Sequence, residues 1–273
     1  MLAAMMNPIV PARPVYRTSA ARAPLTGRSA WRTAMAVAAR TLDPWLPRVC
    51  ALCESALAPT GAGLCRHCRL GLPGRQRPRC ARCGLGRPDP NACPACEQTA
   101  FAFDATCVLA DYAPPLDRLI GALKFGGQLA AASALGYELA MALRRRQAAP
   151  ALDQPRPIDL IVAVPLSPAR RQQRGYDQAQ AIARALARAS ATAHGRALVR
   201  LRQTQAQSTL PRLERAANLL HAFGPRPGLR LDGAHIALVD DVMTTGATLD
   251  AAARALRQAG AQRITAVVAA RTE

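Results

Sequence analysis

The sequence has few aromatic residues, few acidic residues and no long uncharged apolar stretch. Phe, Trp and Tyr make up 4% of its 273 residues, which argues against a surface on which nucleic-acid bases stack. Without a long apolar stretch, we expect no membrane span. Asp and Glu number 17 against 36 Lys and Arg, so the formal net charge is +19, which attracts phosphorylated ligands and polyanions. This charge alone indicates a nucleic-acid ligand only weakly, because a genome rich in Ala and Arg codons also produces it.

Acidic residues are absent before Asp43, where arginines are scattered among small residues. This composition superficially matches an organellar transit peptide, but we predict a disordered basic tail over residues 1–42. We also hypothesise that translation begins at Met35, which N-terminal mass spectrometry of the native protein would exclude by showing Met1 or Met5. The rest of the chain is long enough for one sizeable α/β core and a small additional module.

Cysteine spacing is the clearest local pattern in the first half of the chain. Eight of the nine cysteines form four Cys-x2-Cys pairs: Cys50 and Cys53, Cys65 and Cys68, Cys80 and Cys83, and Cys93 and Cys96. Successive pairs can place four thiolates around Zn2+, so the spacing predicts two structural zinc sites. A disulfide scaffold, which needs an oxidising compartment, and an iron–sulfur cluster are the alternatives. Cys107 lies outside the pattern in an apolar run, and we expect a buried core thiol there.

The run from Ile236 to Thr248 places two acids and a hydroxyl-rich turn at the end of a strand. Its first four residues predict a buried parallel strand, and the apolar spacing after the turn predicts a helix. Gly260 suits the exit of that helix, and residues 264–269 predict the next strand, which completes a βαβ unit. Ligands of such units lie beyond the carboxyl ends of the strands.

The chemistry of this run favours a phosphorylated sugar. The turn from Thr244 to Thr248 offers backbone N–H groups and threonine hydroxyls at a helix N-terminus, where a terminal phosphate fits. Asp240 and Asp241 would repel that phosphate, so they are better suited to accept hydrogen bonds from sugar hydroxyls or to hold hydrated Mg2+. An acidic pair can also end a strand merely to cap the next helix, but the threonine-rich turn favours the ligand.

A second anion site is predicted after residues 160–164, which have the pattern of a buried strand. Pro165 ends that strand and is followed by Arg170, Arg171, Arg174 and Gly175. Guanidinium groups can bind pyrophosphate oxygens bidentately, and the glycine lets the chain turn before a helix. A solvated basic loop is the alternative, because such clusters arise easily in an arginine-rich chain.

The run from Ile236 to Thr248 resembles the motif with which type I phosphoribosyltransferases bind 5-phosphoribosyl-1-pyrophosphate (PRPP). By that resemblance, Asp240 and Asp241 would bind the ribose hydroxyls, and Mg2+ would bridge ribose and pyrophosphate. The 5-phosphate would lie on Thr244, Thr245, Gly246, Ala247 and Thr248. The implied reaction is displacement of pyrophosphate from the anomeric carbon by a nucleophile, usually a base nitrogen, with catalysis mostly by electrostatic positioning.

From about Leu42 onward, the chain resembles the ComF/GntX family of competence proteins. The matching stretches are Leu46 to Cys53, Lys124 to Gly126, Val164 to Leu166, Arg174 to Gln178, Gln207 to Asn218, and Val239 to Thr248. The family usually has Asn at the position of Asp177, which puts the role of that residue in doubt, and often Ser at the position of Pro211. Lys124 would approach the pyrophosphate together with Pro165, Arg174 and Gly175, although without the family match an ordinary surface lysine would be the expectation.

The segment from Arg202 to Asn218 is too rich in polar side chains for a packed element. We expect a mobile lid over the bound sugar phosphate, because type I phosphoribosyltransferases close such a loop to exclude water. An ordinary surface loop followed by an amphipathic helix is the alternative.

These observations predict an α/β fold with a parallel-sheet, type I phosphoribosyltransferase-like domain. That domain is expected over residues 100–273, preceded by a double zinc ribbon over residues 43–99. We expect a cytoplasmic protein that binds PRPP with Mg2+ and transfers its phosphoribosyl group to an acceptor that the sequence does not identify. The resemblance also implies a link to DNA uptake, with single-stranded DNA and competence or DNA-processing proteins as partners. The alternative is a non-catalytic DNA-binding protein that keeps the PRPP pocket as a sensor or remnant.

Overall fold

The computed structural model of the chain describes residues 48–58, 63–87, 89, 93–147, 156–201 and 222–273. The predicted basic tail and the predicted lid, with its Pro211, lie outside these residues. In chain order, the strands are β1 (Ala105–Asp111), β2 (Leu160–Ala163), β3 (His194–Gly195), β4 (Leu198–Arg200), β5 (Phe223–Pro225), β6 (His235–Met243) and β7 (Arg263–Arg271). The helices are α1 (Arg66–Leu70), α2 (Pro94–Glu97), α3 (Leu116–Phe125), α4 (Leu129–Gln147), α5 (Pro168–Arg174), α6 (Gln178–Ser190) and α7 (Ala247–Gln258).

Five parallel strands form the central sheet in the order β1-β7-β6-β2-β3, and β4 pairs with β5 in a separate antiparallel pair. The predicted βαβ unit is confirmed, since β6 and β7 are parallel neighbours joined by α7. Strand β7 is buried along nearly its whole length, as expected for an apolar strand covered on both faces. The fold is therefore the α/β type that the sequence predicts.

Alternating side chains of the strands divide between two cores, one on each face of the sheet. Ile161 and Val267 share one core with residues of α3, α4 and α6. Val162 and Val268 share the other with residues of α7 and of the β4–β5 pair. The predicted buried thiol, Cys107, lies in the first core with 5% of its surface exposed. The sheet thus lies between two helical layers.

Helices α4 and α6 approach each other closely at Gly136. A Cβ atom at this position would lie 2.4 Å from the Cβ of Ala185 and 2.6 Å from the backbone nitrogen of Leu186. Glycine therefore lets the two helices pack with almost no side chain between them.

The two cysteine modules begin with the same local structure. An isolated antiparallel bridge closes each one, between Val49 and Ala56 and between Arg79 and Gly86. Four residues after the first cysteine of each module, Glu54 and Gly84 have left-handed φ values of 59° and 72°. The first module packs into the core that contains α4 and α6, and the second into the core that contains α7.

Residues of the second module and of the connection between the modules also cover the free edge of β1. The N–H of Thr106 donates to Ala81 O at 2.9 Å, and the N–H of Asp111 donates to Pro73 O at 2.8 Å. The guanidinium of Arg79 binds Asp111 Oδ1 at 2.6 Å. Because an uncovered edge strand presents unpaired backbone groups to other chains, this cover protects the sheet.

A buried carboxylate ties the first module to helix α4. Glu138 in α4 is fully buried and accepts two hydrogen bonds from Arg69 Nε, at 2.8 and 2.9 Å. Arg75 lies 3.7 Å from the other side of the same carboxylate. Removing one partner of such a pair would leave an uncompensated buried charge.

Candidate active site and metal centres

The candidate site forms at the carboxyl end of β2, beyond which the neighbouring strand β6 extends further. Strand β2 pairs with β6 only as far as Val239, whereas β6 continues beside β7 to Met243. Asp240 and Asp241 therefore lie within β6 but beyond the end of β2. We expected the strand to end before these acids, and that boundary was wrong because β7 continues to pair with β6 for three further residues.

A cavity of about 360 Å³ opens at this step, and we call it the strand-end pocket. It brings together nearly all of the predicted PRPP-binding residues: Lys124, Pro165, Arg174, Asp240, Asp241, Thr244, Thr245, Gly246, Ala247 and Thr248. Gly175 does not line the pocket. With a φ of 75°, it ends α5 in the left-handed conformation and turns the chain towards α6, which is the backbone role predicted for it.

The bend at Thr244 to Gly246 leads directly into α7, and residues 244–248 together are called here the threonine turn. Within the described residues, the N–H groups of Thr244, Thr245 and Gly246 donate to no protein oxygen. Gly246 precedes α7 with a φ of 85°, and a Cβ atom there would lie 2.7 Å from the Cε of Met243. Several N–H donors at a helix N-terminus form a site suited to an anion.

The two acids have different surroundings although they are adjacent. Asp241 Oδ2 lies 3.1 Å from Lys124 Nζ, so its charge is paired. Asp240 Oδ1 accepts a hydrogen bond from the N–H of Asp241 at 2.9 Å. Burial, together with the negative charge of Asp241, raises the pKa of Asp240 to about 8. These surroundings therefore favour the protonated form of Asp240 in the ligand-free protein.

The arginines after β2 lie on a short helix, α5, where the alternative interpretation expected a loop. Ser167 caps this helix by accepting a hydrogen bond from the N–H of Arg170 at 3.4 Å, and proline lies in the first turn. The helix directs Arg170 and Arg174 to the strand-end pocket, whereas Arg171 faces a neighbouring groove. Arg174 also stacks on the ring of Phe125, 5.4 Å from its centroid.

Asp177, where the family usually has Asn, has a structural role in this protein. Its carboxylate caps α6 by accepting from the N–H of Gln180 at 3.0 Å, and its other oxygen accepts from the N–H of Leu166 at 3.1 Å. Arg171 lies 3.4 Å from that second oxygen. The extra negative charge near the pocket is therefore bound by the protein itself.

Gln178 is a buried polar residue in the wall of the pocket. Its side chain is 2% exposed, and its Oε1 accepts from Arg174 Nη1 at 3.2 Å. Its Nε2 has no hydrogen-bond partner within the described residues. Buried donors normally have a partner, so this amide group is suited to an oxygen of a bound ligand.

Each set of four cysteines gathers its sulfurs in the predicted pairing. Within each set the four Sγ atoms lie within 4.8 Å of one another, in the groups Cys50, Cys53, Cys65, Cys68 and Cys80, Cys83, Cys93, Cys96. Adjacent sulfurs are 3.5 to 3.7 Å apart, close to the roughly 3.8 Å between two thiolates bound to one tetrahedral Zn2+. The space suits one ion and is too small for a cluster of several iron and sulfide ions. All nine cysteines are free thiols, which disagrees with a disulfide scaffold.

Comparisons with known proteins agree with this architecture. A family described as "Phosphoribosyl transferase domain" matches residues 172–273, and one described as "Double zinc ribbon domain" matches residues 41–97. DNA utilization protein YhgH of Escherichia coli K12 is 35% identical over 173 residues, which cover 63% of this chain and 74% of YhgH. Competence protein F of Haemophilus influenzae is 31% identical over 174 residues, which cover 63% of this chain and 75% of that protein. The chain belongs to the ComF/GntX family.

A solved structure of glutamine PRPP amidotransferase from B. subtilis, complexed with ADP and GMP, is 19% identical to this ComF/GntX protein. The structural match covers 50% of this chain and 25% of the amidotransferase chain, with a TM-score of 0.33. The parallel strand order gives the α/β fold, and the two family matches give the phosphoribosyltransferase-like and zinc-ribbon parts of the chain.

Tyr112 and Arg200 are among the pocket residues of this ComF/GntX protein that the sequence analysis did not predict. Tyr112 directly follows β1, and Arg200 ends β4. Applying the carboxyl-end rule to every predicted parallel strand would have identified Tyr112. No sequence pattern identifies Arg200 as a pocket residue, because its position depends on the antiparallel β4–β5 pair. There its guanidinium stacks on Phe223, 5.2 Å from the ring centroid.

Within the described residues of this ComF/GntX protein, no helix is both long and apolar enough to cross a membrane.

Proposed function

We propose that this ComF/GntX protein binds Mg2+-PRPP in the strand-end pocket and transfers the phosphoribosyl group to an acceptor, releasing pyrophosphate. The observation that carries this proposal is the threonine turn, whose three unpartnered N–H groups lie in the same pocket as the acid pair. A phosphate requires donors, whereas sugar hydroxyls require acceptors. The pocket offers both, a few residues apart on one strand and turn.

The remaining residues of the pocket support a division of the ligand into three parts. The 5-phosphate would be held by Thr244 to Thr248, and the ribose hydroxyls by Asp240 and Asp241. The pyrophosphate would be bound by Arg170, Arg174 and Lys124, whose charges face the pocket. Mg2+, when bound with PRPP, would neutralise part of the pyrophosphate charge and orient it as a leaving group. The same side chains would exclude water and hold the anomeric carbon open to an attacking nucleophile.

We further propose a division of the chain into a double zinc ribbon over residues 43–99 and a phosphoribosyltransferase-like domain over residues 100–273. Free thiols in closed four-cysteine sites are typical of a reducing compartment, which supports a cytoplasmic protein. The names of the relatives, one a DNA utilization protein and one a competence protein, support a role in DNA uptake.

A DNA-handling protein that keeps the pocket as a sensor is the second candidate. The net charge of +19 favours it, because Lys and Arg bind the phosphate backbone of single-stranded DNA without stacking. In that case DNA binding would weaken steeply with rising salt and would tolerate changes in the acid pair. An enzyme would lose its activity with the acid pair.

The deciding experiment is calorimetric titration of Mg2+-PRPP into the zinc-loaded protein and into Asp240→Asn/Asp241→Asn. Binding in the micromolar range that the double variant loses would support the proposal and justify screening bases and single-stranded DNA for release of pyrophosphate. Asp232→Asn is the matched control, since this exposed residue pairs with Arg230 away from the pocket. Absence of PRPP binding by the folded wild-type protein would contradict the proposal and favour the DNA-handling role.

A further inference from the structure

The guanidinium of Arg271 joins the second zinc ribbon to the threonine turn. Arg271 is 5% exposed at the end of β7. Its Nε donates to the carbonyl of Cys83, a ligand of the second zinc site, at 3.1 Å. Its Nη1 donates to the carbonyls of Met243, at 3.1 Å, and of Thr244. We infer that Arg271 is a positioning residue through which the second zinc ribbon fixes the phosphate-binding turn, an inference that rests on the proposed function.

The geometry of the peptide unit shows how Arg271 acts on the turn. A trans peptide unit is planar, and its C=O and N–H groups point in opposite directions. Because the carbonyls of Met243 and Thr244 point at the guanidinium, the N–H groups of Thr244 and Thr245 point away from it. These are two of the three N–H groups of the turn that lack a protein acceptor. Arg271 therefore orients the backbone N–H groups that would donate hydrogen bonds to the phosphate.

Other contacts join the same two regions. Phe101 and Phe103, which follow the second ribbon, stack with their ring centroids 4.7 Å apart. A Cβ atom at Gly246 would lie 3.1 Å from Phe101 Cε1, so this ring touches the turn closely. Arg82, between two zinc-binding cysteines, donates to the carbonyl of Phe101 at 2.9 Å. The second ribbon thus supports the turn through both a buried cation and an aromatic ring.

The first ribbon makes no comparable contact with the turn in the described residues. It is anchored to α4 through Glu138 and shares the core on the other face of the sheet. The two zinc sites are therefore expected to differ in function: loss of the second zinc would loosen the turn, and loss of the first would not. This difference provides an internal control for the test.

The test is hydrogen exchange, measured by mass spectrometry, on the full zinc-loaded chain. Arg271→Met is expected to raise the exchange rates of the amides of Ala247 and Asp250 by about tenfold or more. These amides donate to Thr245 Oγ1 and Gly246 O, and the variant removes the charged donor that holds the Thr244 carbonyl of the same turn. Arg271→Lys should have a smaller effect, since an ammonium group can still reach part of this set of acceptors. Arg146→Met is the matched control. Arg146 also donates to a carbonyl of the second ribbon, that of Ala81 at 3.3 Å, but it does not line the pocket.

Removal of one zinc ligand at a time tests the role of the ribbon. Cys96→Ser, in the second site, is expected to raise exchange of the threonine turn as Arg271→Met does. Cys68→Ser, in the first site, is expected to leave it unchanged. Exchange of the turn that is unaltered by Arg271→Met, or raised equally by all of these variants, would overturn the inference.

Titration with Mg2+-PRPP separates this inference from the proposed function. If the wild-type protein binds PRPP, Arg271→Met should bind about tenfold more weakly, with Arg146→Met unchanged. Binding and zinc retention are reciprocally linked, so PRPP should slow transfer of the second zinc, but not of the first, to a chelator. Equal PRPP affinity of Arg271→Met and wild type would overturn the inference. Failure of the wild type to bind PRPP would refute the proposed function, while the exchange measurements would still decide whether Arg271 positions the turn.

Discussion

Asp240 and Asp241 are chemically identical neighbours that the fold places in different surroundings. Lys124 pairs with Asp241, whereas burial and the charge of Asp241 raise the pKa of Asp240 to about 8. The sequence predicted that both acids face a ligand. It could not predict that their surroundings differ, because burial of Asp240 and the pairing of Asp241 with Lys124, more than a hundred residues earlier in the chain, depend on the fold.

The raised pKa of Asp240 predicts how stability depends on pH. Between its ordinary value of 3.8 and about 8, the native state binds more protons at this site than the unfolded state. Stability therefore falls as pH rises through this range, with a slope of up to about 1.4 kcal/mol per pH unit. Denaturant unfolding of the zinc-loaded protein and of Asp240→Asn, from about pH 5 to pH 9, should show the variant gaining stability relative to wild type. A constant difference across that range would contradict the pKa.

Gln178 provides a test in which stability and binding change differently. Gln178→Met removes a buried amide whose Nε2 has no partner among the described residues, together with the hydrogen bond that its Oε1 accepts from Arg174. We therefore expect the free energy of unfolding to fall by no more than about 1 kcal/mol. Loss of a hydrogen bond to an anionic ligand should weaken Mg2+-PRPP binding by about tenfold. Gln172→Met, on an exposed position of α5, is the matched control and should change neither quantity. A large loss of stability in Gln178→Met would mean that the side chain mainly supports the fold.

At the scale of elements, the sequence predicted what depends on local periodicity. The strand, turn and helix around the threonine turn, the strand that follows them, and the helix after Gly175 were all confirmed. The end of β6 and the helical state of α5 were not predicted. The first depends on pairing with β7, and the second on a cap from Ser167, and neither interaction appears in an apolar pattern.

Gly136 predicts a substitution effect opposite to that of helix propensity. Alanine is normally favoured over glycine inside a helix by about 1 kcal/mol. At Gly136, however, the new methyl group would lie 2.6 Å from a backbone nitrogen of α6, so Gly136→Ala should destabilise the protein by about 1–3 kcal/mol. Gly121→Ala in α3 is the control, since a Cβ atom there meets no atom within 4 Å, and it should stabilise slightly. Both are measured by denaturant unfolding, and equal effects would contradict the close contact of α4 with α6.

At the scale of the whole molecule, the cysteine modules are parts of the two cores as well as zinc ribbons. Cys50 lies in one core, and Cys80, Cys83 and Cys93 lie in the other. The sequence predicted the ligands and their pairing, because tetrahedral coordination determines the spacing. It did not predict that each ribbon packs on a different face of the sheet, since this depends on contacts between distant segments.

This packing predicts that removal of zinc destabilises the whole protein. Closed zinc sites contribute directly to folding, and here their cysteines are shared with both cores. A chelator should therefore lower the melting temperature of the entire chain by several degrees in one transition, measured together by circular dichroism and near-ultraviolet absorbance. Melting of the ribbons alone, with the sheet unchanged, would contradict this expectation.

In the zinc-loaded protein, Cys107 should react with thiol reagents only on unfolding, because burial raises its pKa to about 11.

The order in which the strands are synthesised differs from their order in the sheet. Among the strands that the structure describes, β1 pairs only with β7. Ala105 therefore cannot pair before Thr265, its partner 160 positions later in the chain, has been synthesised. Until the ribosome has made residues 263–271, one edge of β1 is covered only by the ribbons and the other has no partner. Such long-range parallel pairing is slow and leaves strand edges exposed. The availability of zinc during translation should therefore affect how much of the newly made chain reaches the folded state.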